Sequence, residues 1–226
     1  MKIFNLILWD MRFQAKYGFY LLYGLLTVLY IVILFALPQA WRGSAAALLI
    51  FSDPAAMGLF FMGAIVLLEK SQRVPCAFAA APLHAMEYVI SKTASLCLIS
   101  LIVAAILALA AGLPHLPQVL LGTALSGILF TLLGMILATK ITSLNQFILF
   151  TVPVEIACFV PAVLHLFQLL PTELRNYSAN VCMDMIAGRS FTAAGILLLG
   201  AVIILLFYLA EKCVLKMWES AGGVKL

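Results

Sequence analysis

Long apolar runs, each ended by a short bunch of charges, constrain this chain more than any other feature. Of its 226 residues 65% are hydrophobic and only 10% charged. A soluble domain so apolar could not cover its own surface with polar groups. About 20 apolar residues in a helix cross about 30 Å of hydrocarbon. Only helices and closed barrels satisfy their backbone groups there. The runs lack the strict alternation of barrel strands. The chain is therefore expected to be all-α: a polytopic membrane protein with six transmembrane helices in one transmembrane domain, residues 1–226.

The predicted spans are Tyr17–Leu37, Pro54–Val74, Thr93–Gly112, Gln118–Thr139, Phe147–Leu170 and Thr192–Ala210. Ser52-Asp53-Pro54 reads as a helix start, with Asp53 able to cap and Pro54 at the first helical position. The apolar part of that span ends at Leu68, and the helix is taken to run on past Glu69 and Lys70. Ser143 and Gln146 read as a capping box for span five. Asp10, Arg12 and Lys16 interrupt the first apolar stretch and no small-residue cleavage site follows, so span one is expected to be retained.

Basic residues set the expected orientation. With the N-terminus inside, Lys2, Arg12, Lys16, Lys70, Arg73, Lys92, Lys140, Lys212, Lys216 and Lys225 are cytosolic, against Arg42, Arg175 and Arg189 outside. That bias predicts N-in and C-in. Trp9, Trp41 and Trp218 fall near the predicted interfaces, where amphipathic rings prefer to sit. The formal charge of +4 reflects this one-sided collection of bases and is no nucleic-acid footprint.

No GxxxxGK[ST] loop, HExxH or GxSxG is present, so no enzyme activity is expected of this chain. His84, His115 and His165 are far apart, and the five cysteines form no CxxC. Neither a metal site nor a disulfide framework follows, and the cysteines read as small hydrophobes.

Four features remain as functional candidates. Residues 2–16 place Lys2, Asn5, Arg12 and Lys16 on one arc at about 100° per residue, with Trp9 among them and apolar residues around the rest. This is an amphipathic interfacial helix; Asp10 and Gln14 lie off its polar arc, one turn apart. Residues 69–92 are a long cytosolic connection broken by Pro75 and Pro82, mixing Phe78, Leu83, Met86 and Tyr88 with charges. Apolar groups on such a loop need membrane or a partner to cover them. Glu155 is the carboxylate placed inside a predicted span, between Pro153 and Pro161, where an acid costs about 2.5–3.5 kcal/mol or more unless paired or facing water. It is read either as a functional group or as a neutral acid bonded to a carbonyl freed by a proline kink. The external segment 171–191 is longer than a turn requires.

Four stretches carry a resemblance: DMRFQAKYGFY (Asp10–Tyr20), SDPAAMGLFF (Ser52–Phe61), GAIVLLEKSQR (Gly63–Arg73) and PLHAMEYVISK (Pro82–Lys92). The chain resembles the membrane subunits of type-2 ABC exporters, and within them the bacterial branch named for fluoroquinolone transporter permeases. The close match covers about the first half; beyond it hydropathy and span count agree. The resemblance implies two permease subunits, as a homodimer or heterodimer, in the bacterial cytoplasmic membrane. They are joined to separate ATPase subunits that hold the ATP and Mg, with no cofactor in this chain. It makes residues 2–16 (Lys2, Trp9, Arg12, Lys16) the interfacial connecting helix. It makes the region after Glu69 (Glu69, Lys70, Arg73, Phe78, Leu83, Glu87, Lys92) the element coupling to the ATPase. It places a re-entrant dip before the last span, although Glu173, Arg175, Asp184 and Arg189 argue against a deep one.

The expected function is export of an amphipathic substrate (a drug, lipid or small peptide) by alternating access at a subunit interface. The alternatives are a proton-coupled secondary transporter using Glu155, and a non-transporting membrane scaffold.

Overall fold

A computed structural model describes residues 2–81 and 83–222. Pro82 and Lys225 lie outside the described residues, as do the side chains of Lys2 and Pro54. All regular elements described are helical, and six helices are long and apolar enough to cross a membrane.

The chain opens with α1 (Lys2–Lys16) and turns at Gly18, whose φ of +78° is open to glycine, into α2 (Phe19–Ala36). After Leu37 and Pro38 comes α3 (Gln39–Asp53). It runs without a break through a π-helical stretch, Pro54–Phe61, into α4 (Met62–Ser71). The result is one 33-residue element.

The helix that carries span two therefore begins at Gln39, not at Pro54, and Asp53 caps nothing. Two local facts let the helix pass through its proline. The π turn widens the backbone, and the carbonyl of Leu49, which a π-turn would pair with residue 54, takes the Ser52 hydroxyl at 2.8 Å instead. Tertiary packing then favours helix: Ala46, Ala47, Ile50 and Phe51 are fully buried.

A left-handed Arg73 (φ 57°) turns the chain into α5 (Val74–Ala80). Next, α6 (Ala85–Ala111) starts eight residues before the expected Thr93, because the Glu87 carboxylate accepts the orphan His84 N–H at 3.1 Å. Helices α7 (Leu116–Lys140) and α8 (Leu144–Leu166) follow. Ser143 caps α8 by accepting the Gln146 N–H, as its sequence suggests. A 3₁₀ turn (Thr172–Asn176), α9 (Ser178–Ile186) and α10 (Ala193–Gly222) complete the fold.

At the centre of the bundle, α7 packs against α6, α10, α9, α4 and the π stretch. Gly134 makes the last contact possible: a Cβ there would lie 2.5 Å from the Leu59 carbonyl oxygen. By contrast α2, α8 and α10 are peripheral. Leu21, Leu149 and Leu197 are 77%, 69% and 75% exposed, an apolar rind fit for lipid.

Both ends of the described chain lie at one end of the bundle, with Lys70, Arg73, Lys92, Lys140, Lys212 and Lys216; this is the basic end. The far end holds α9. All nine of its residues are buried among α3, α7, α8 and α10. The Tyr177 hydroxyl reaches the Ala157 carbonyl at 3.1 Å, nine residues before the end of α8, or about 13 Å along that helix. Desolvation and the neighbouring Cys158 push the Tyr177 phenol up to about 12, so it stays a donor. Glu173 of this segment is exposed, and the other three charges are answered locally. His165 Nε2 lies 3.0 Å from Asp184, Arg189 donates to the Leu166 carbonyl at 2.7 Å, and Arg175 donates to that of Ser190 at 2.8 Å.

Candidate functional site

The strongest concentration of charge in the structure is at the basic end. The ammonium of Lys92, on α6, lies between two carboxylates. It donates to Asp10 of α1 at 2.6 Å and to Glu69 of α4. Ser91 donates to the second oxygen of Asp10. Tyr88 donates to the second oxygen of Glu69 at 2.6 Å. One turn along α1, Gln14 donates to Ser95 at 2.9 Å. Each of Asp10, Glu69 and Lys92 is at most 2% exposed, and the rings of Trp9, Phe13 and Tyr88 stand 5.3–5.7 Å from the ammonium. Burying three charges costs several kcal/mol per ion, offset only where geometry and further hydrogen bonds are good. Here every carboxylate oxygen has a donor.

The helical registers explain this convergence. Asp10 and Gln14 are i and i+4, so one face of α1 presents both to α6. Ser91, Lys92 and Ser95 form the matching face of α6, with Tyr88 a turn below. Glu69 reaches them from the last turn of α4. Its neighbour Lys70 points the other way and donates to the carbonyls of Ala138, Thr139 and Ile141 at 2.7–2.8 Å. A lysine at the C-terminus of α7 satisfies carbonyls that have no helical partner. Adjacent residues of α4 thus tie it to α1 and α6 on one side and to α7 on the other.

Phe78, from α5, closes the cluster from below, with its ring 5.6 Å from Tyr88, 6.0 Å from Trp218 of α10 and 6.3 Å from Trp9. The residues expected to form one coupling surface therefore separate. Glu69 and Lys92 are internal and present no charge to a partner. Lys70 spends its donors on α7, and Phe78 packs inward. Arg73 is exposed, while Leu83 and Glu87 are half-buried at the surface. Arg73, Lys70 and Lys140 line an open cleft of about 570 Å³, with Cys76, Met217 and Ser220. On α1, Arg12, Lys16 and Trp9 are exposed and, with Gln72, line a second cleft of about 420 Å³.

Glu155 is half-buried on α8, a helix whose span is only 17% buried. It makes no hydrogen bond or ion pair to a described residue. Among the described residues no group of His, Cys, Asp and Glu could hold a metal ion. Nothing here supplies a nucleophile with a base. The arrangement joins elements mechanically.

Sequence reasoning did not single out Asp10, Tyr88, Ser91 and Trp218 as a unit, and it read Asp53 as a helix cap. The signal for Asp10 was present: two polar residues one turn apart on the apolar side of α1 require a polar partner. Asp53 was hidden by its own context, since Ser-Asp-Pro reads as a helix start. It is instead 2% exposed and internal.

Comparison with known proteins matches residues 2–194 to a family described as the fluoroquinolones export permease protein family. Two relatives from Mycobacterium tuberculosis are the fluoroquinolones export permease proteins MT2761 (strain CDC 1551 / Oshkosh) and Rv2687c (strain ATCC 25618 / H37Rv). Each is 30% identical over 149 residues, which is 65% of this chain and 63% of the relative. The aligned region thus spans somewhat less than two thirds of these relatives. With six apolar helices and a family match over most of its length, the chain is a multi-pass membrane protein and belongs to the fluoroquinolones export permease protein family.

Proposed function

We propose that this chain is the permease subunit of an ATP-driven exporter in a bacterial cytoplasmic membrane. Its N- and C-termini would be cytosolic, and a separate ATPase subunit would bind ATP and Mg. The observation that carries the reading is the match of residues 2–194 to a family of export permeases. The placement of the charges supports it. The basic end gathers the bases, as a cytosolic face does, and offers the open cleft of Arg73 and Lys140 to an acidic partner. Behind that cleft, Lys70 and the Lys92 cluster fasten α4 to α7, α6 and α1. A push delivered at α5 therefore reaches three helices through packed side chains. In this reading Arg73, Leu83 and Glu87 meet the ATPase, and Glu69, Lys70, Phe78 and Lys92 transmit.

Glu155 supports a second permease subunit. A half-buried carboxylate on a peripheral helix, with no partner among the described residues, cannot be left at that depth without cost. A second copy or a homologous subunit facing α8 would cover it, or enclose it with water along a pathway between subunits. Alternating access at that interface is the proposed mechanism, and the cargo is amphipathic.

The test is reconstitution with a candidate partner ATPase from the same organism. Export of a fluorescent fluoroquinolone should require the ATPase and stop when its ATP-binding lysine is replaced. Movement by this chain alone under a proton gradient would establish the secondary-transporter reading instead.

A further inference from the structure

Asp53 lies close to halfway along the 33-residue element formed by α3, the π stretch and α4, about 21 Å of helix from Gln39 and about 27 Å from Ser71. Both of its carboxyl oxygens are buried without a hydrogen-bond partner. The hydroxyl of Tyr23, on α2, is buried and unpartnered too. Ser100 of α6 lies beside both, and Tyr30 of α2 is close enough to feel the charge of Asp53. No Lys, Arg or His among the described residues approaches it.

The same protein shows how it treats a structural acid. Asp10 and Glu69 have a donor on every oxygen and share a lysine. Asp53 shares no lysine and has only the Ser100 hydroxyl beside it, without good hydrogen-bond geometry, at a depth where a lone acid is expensive. Its surroundings suit a specific kind of partner. The ring of Tyr23 stands edge-on to Phe61 of the π stretch at 5.5 Å. Aromatic faces beside a carboxylate attract an organic cation through ring quadrupole and charge together. The site is also openable. Its lipid-side cover is α2, whose span is only 17% buried, and its floor is a π helix, an element recurrent at functional sites.

We propose that Asp53, with Tyr23 and Tyr30 of α2 and Ser100 of α6, forms a mid-membrane binding site for a monovalent organic cation, an amine or ammonium group on an aromatic or apolar body. The inference rests on the exporter reading for its biological sense, because it narrows the cargo from amphipathic to cationic amphipathic. Ligand entry requires α2 to move away from α3 and α6.

The experiment measures equilibrium binding to the purified chain in lipid nanodiscs, by fluorescence for the aromatic cation ethidium and by competition for the uncharged phenanthridine. The wild type should bind ethidium in preference to phenanthridine. Asp53→Asn should weaken ethidium at least tenfold and leave phenanthridine unchanged; Asp53→Glu should keep most of the affinity. Tyr23→Phe should weaken ethidium a few-fold, and it carries the test with Asp53→Glu if Asp53→Asn does not fold. Absence of a preference for the cation overturns the proposal, as does wild-type ethidium affinity in a monodisperse Asp53→Asn protein. ATP-driven transport with binding indifferent to Asp53 removes this inference alone. Binding that depends on Asp53, in a chain showing no ATPase-dependent transport, removes the exporter reading alone.

Discussion

Lys92 sits between Asp10 and Glu69, so its replacement leaves two buried carboxylates facing each other. Lys92→Met should cost about 3–5 kcal/mol, the usual effect of breaking a buried ion pair, and be read as a lower midpoint of thermal unfolding in detergent. Adding Asp10→Asn and Glu69→Gln to Lys92→Met should recover much of the loss, because no charge is then stranded. If Lys92→Met melts with the wild type, the cluster does not bear on stability. Lys70 makes a different kind of contact, three bonds from one ammonium to the end of α7. Lys70→Met should cost about 1.5–3 kcal/mol, the range for hydrogen bonds to a charged group, and faster amide exchange should be confined to the last turns of α4 and α7. Both lysines were legible in the sequence as basic-end residues. That Lys70 turns away from the cluster its neighbour Glu69 joins was not, since neighbours in a helix point about 100° apart and only the packed partners decide what each meets.

Among the elements, the π stretch and α9 were hardest to read. Pro54 has the signature of a helix start, and only the burial of Ala46–Phe51 against the bundle shows that helix continues on both sides. The contact of this stretch with α7 depends on Gly134. Gly134→Ala should force the backbones apart and lower stability. Gly24→Ala, on the open face of α2 with nothing within 4 Å of its Cβ, should raise it by up to about 1 kcal/mol through helix propensity. Equal melting temperatures for the two would show that the close approach is unimportant. The segment before α10 looked too charged to enter the bundle, yet Asp184, Arg175 and Arg189 find partners in His165, Ser190 and the carbonyls ending α8. Cys182, fully buried on α9, should therefore resist an impermeant maleimide in intact cells, and His165→Ala should expose it at least several-fold. Rapid labelling of the wild type would mean that α9 is not seated as described.

For the whole molecule, both described ends lie at the basic end and six helices separate it from the far end. In a cysteine-free background, Gly43→Cys and Glu173→Cys should react with an impermeant reagent from outside, and Ser71→Cys and Gln72→Cys only after permeabilisation. Labelling of both sets from one side contradicts the orientation. If α8 faces a second copy, Ile156→Cys, which is 56% exposed, should form a disulfide-linked dimer in membranes, and the control Leu21→Cys on α2 should do so less. The sequence by itself determined that the chain is helical, that it crosses a membrane six times, and that its bases gather at one end. These properties follow from composition and local order, because a run of about 20 apolar residues without strand alternation satisfies its backbone in lipid as a helix. Tertiary structure alone decided where the helix of span two begins, that Asp10, Glu69 and Lys92 share one buried cluster, and that Asp53 is an internal acid with no charged partner among the described residues. Those outcomes depend on which faces of distant helices meet, and side chains 23 to 82 residues apart in the chain come together only when the bundle closes.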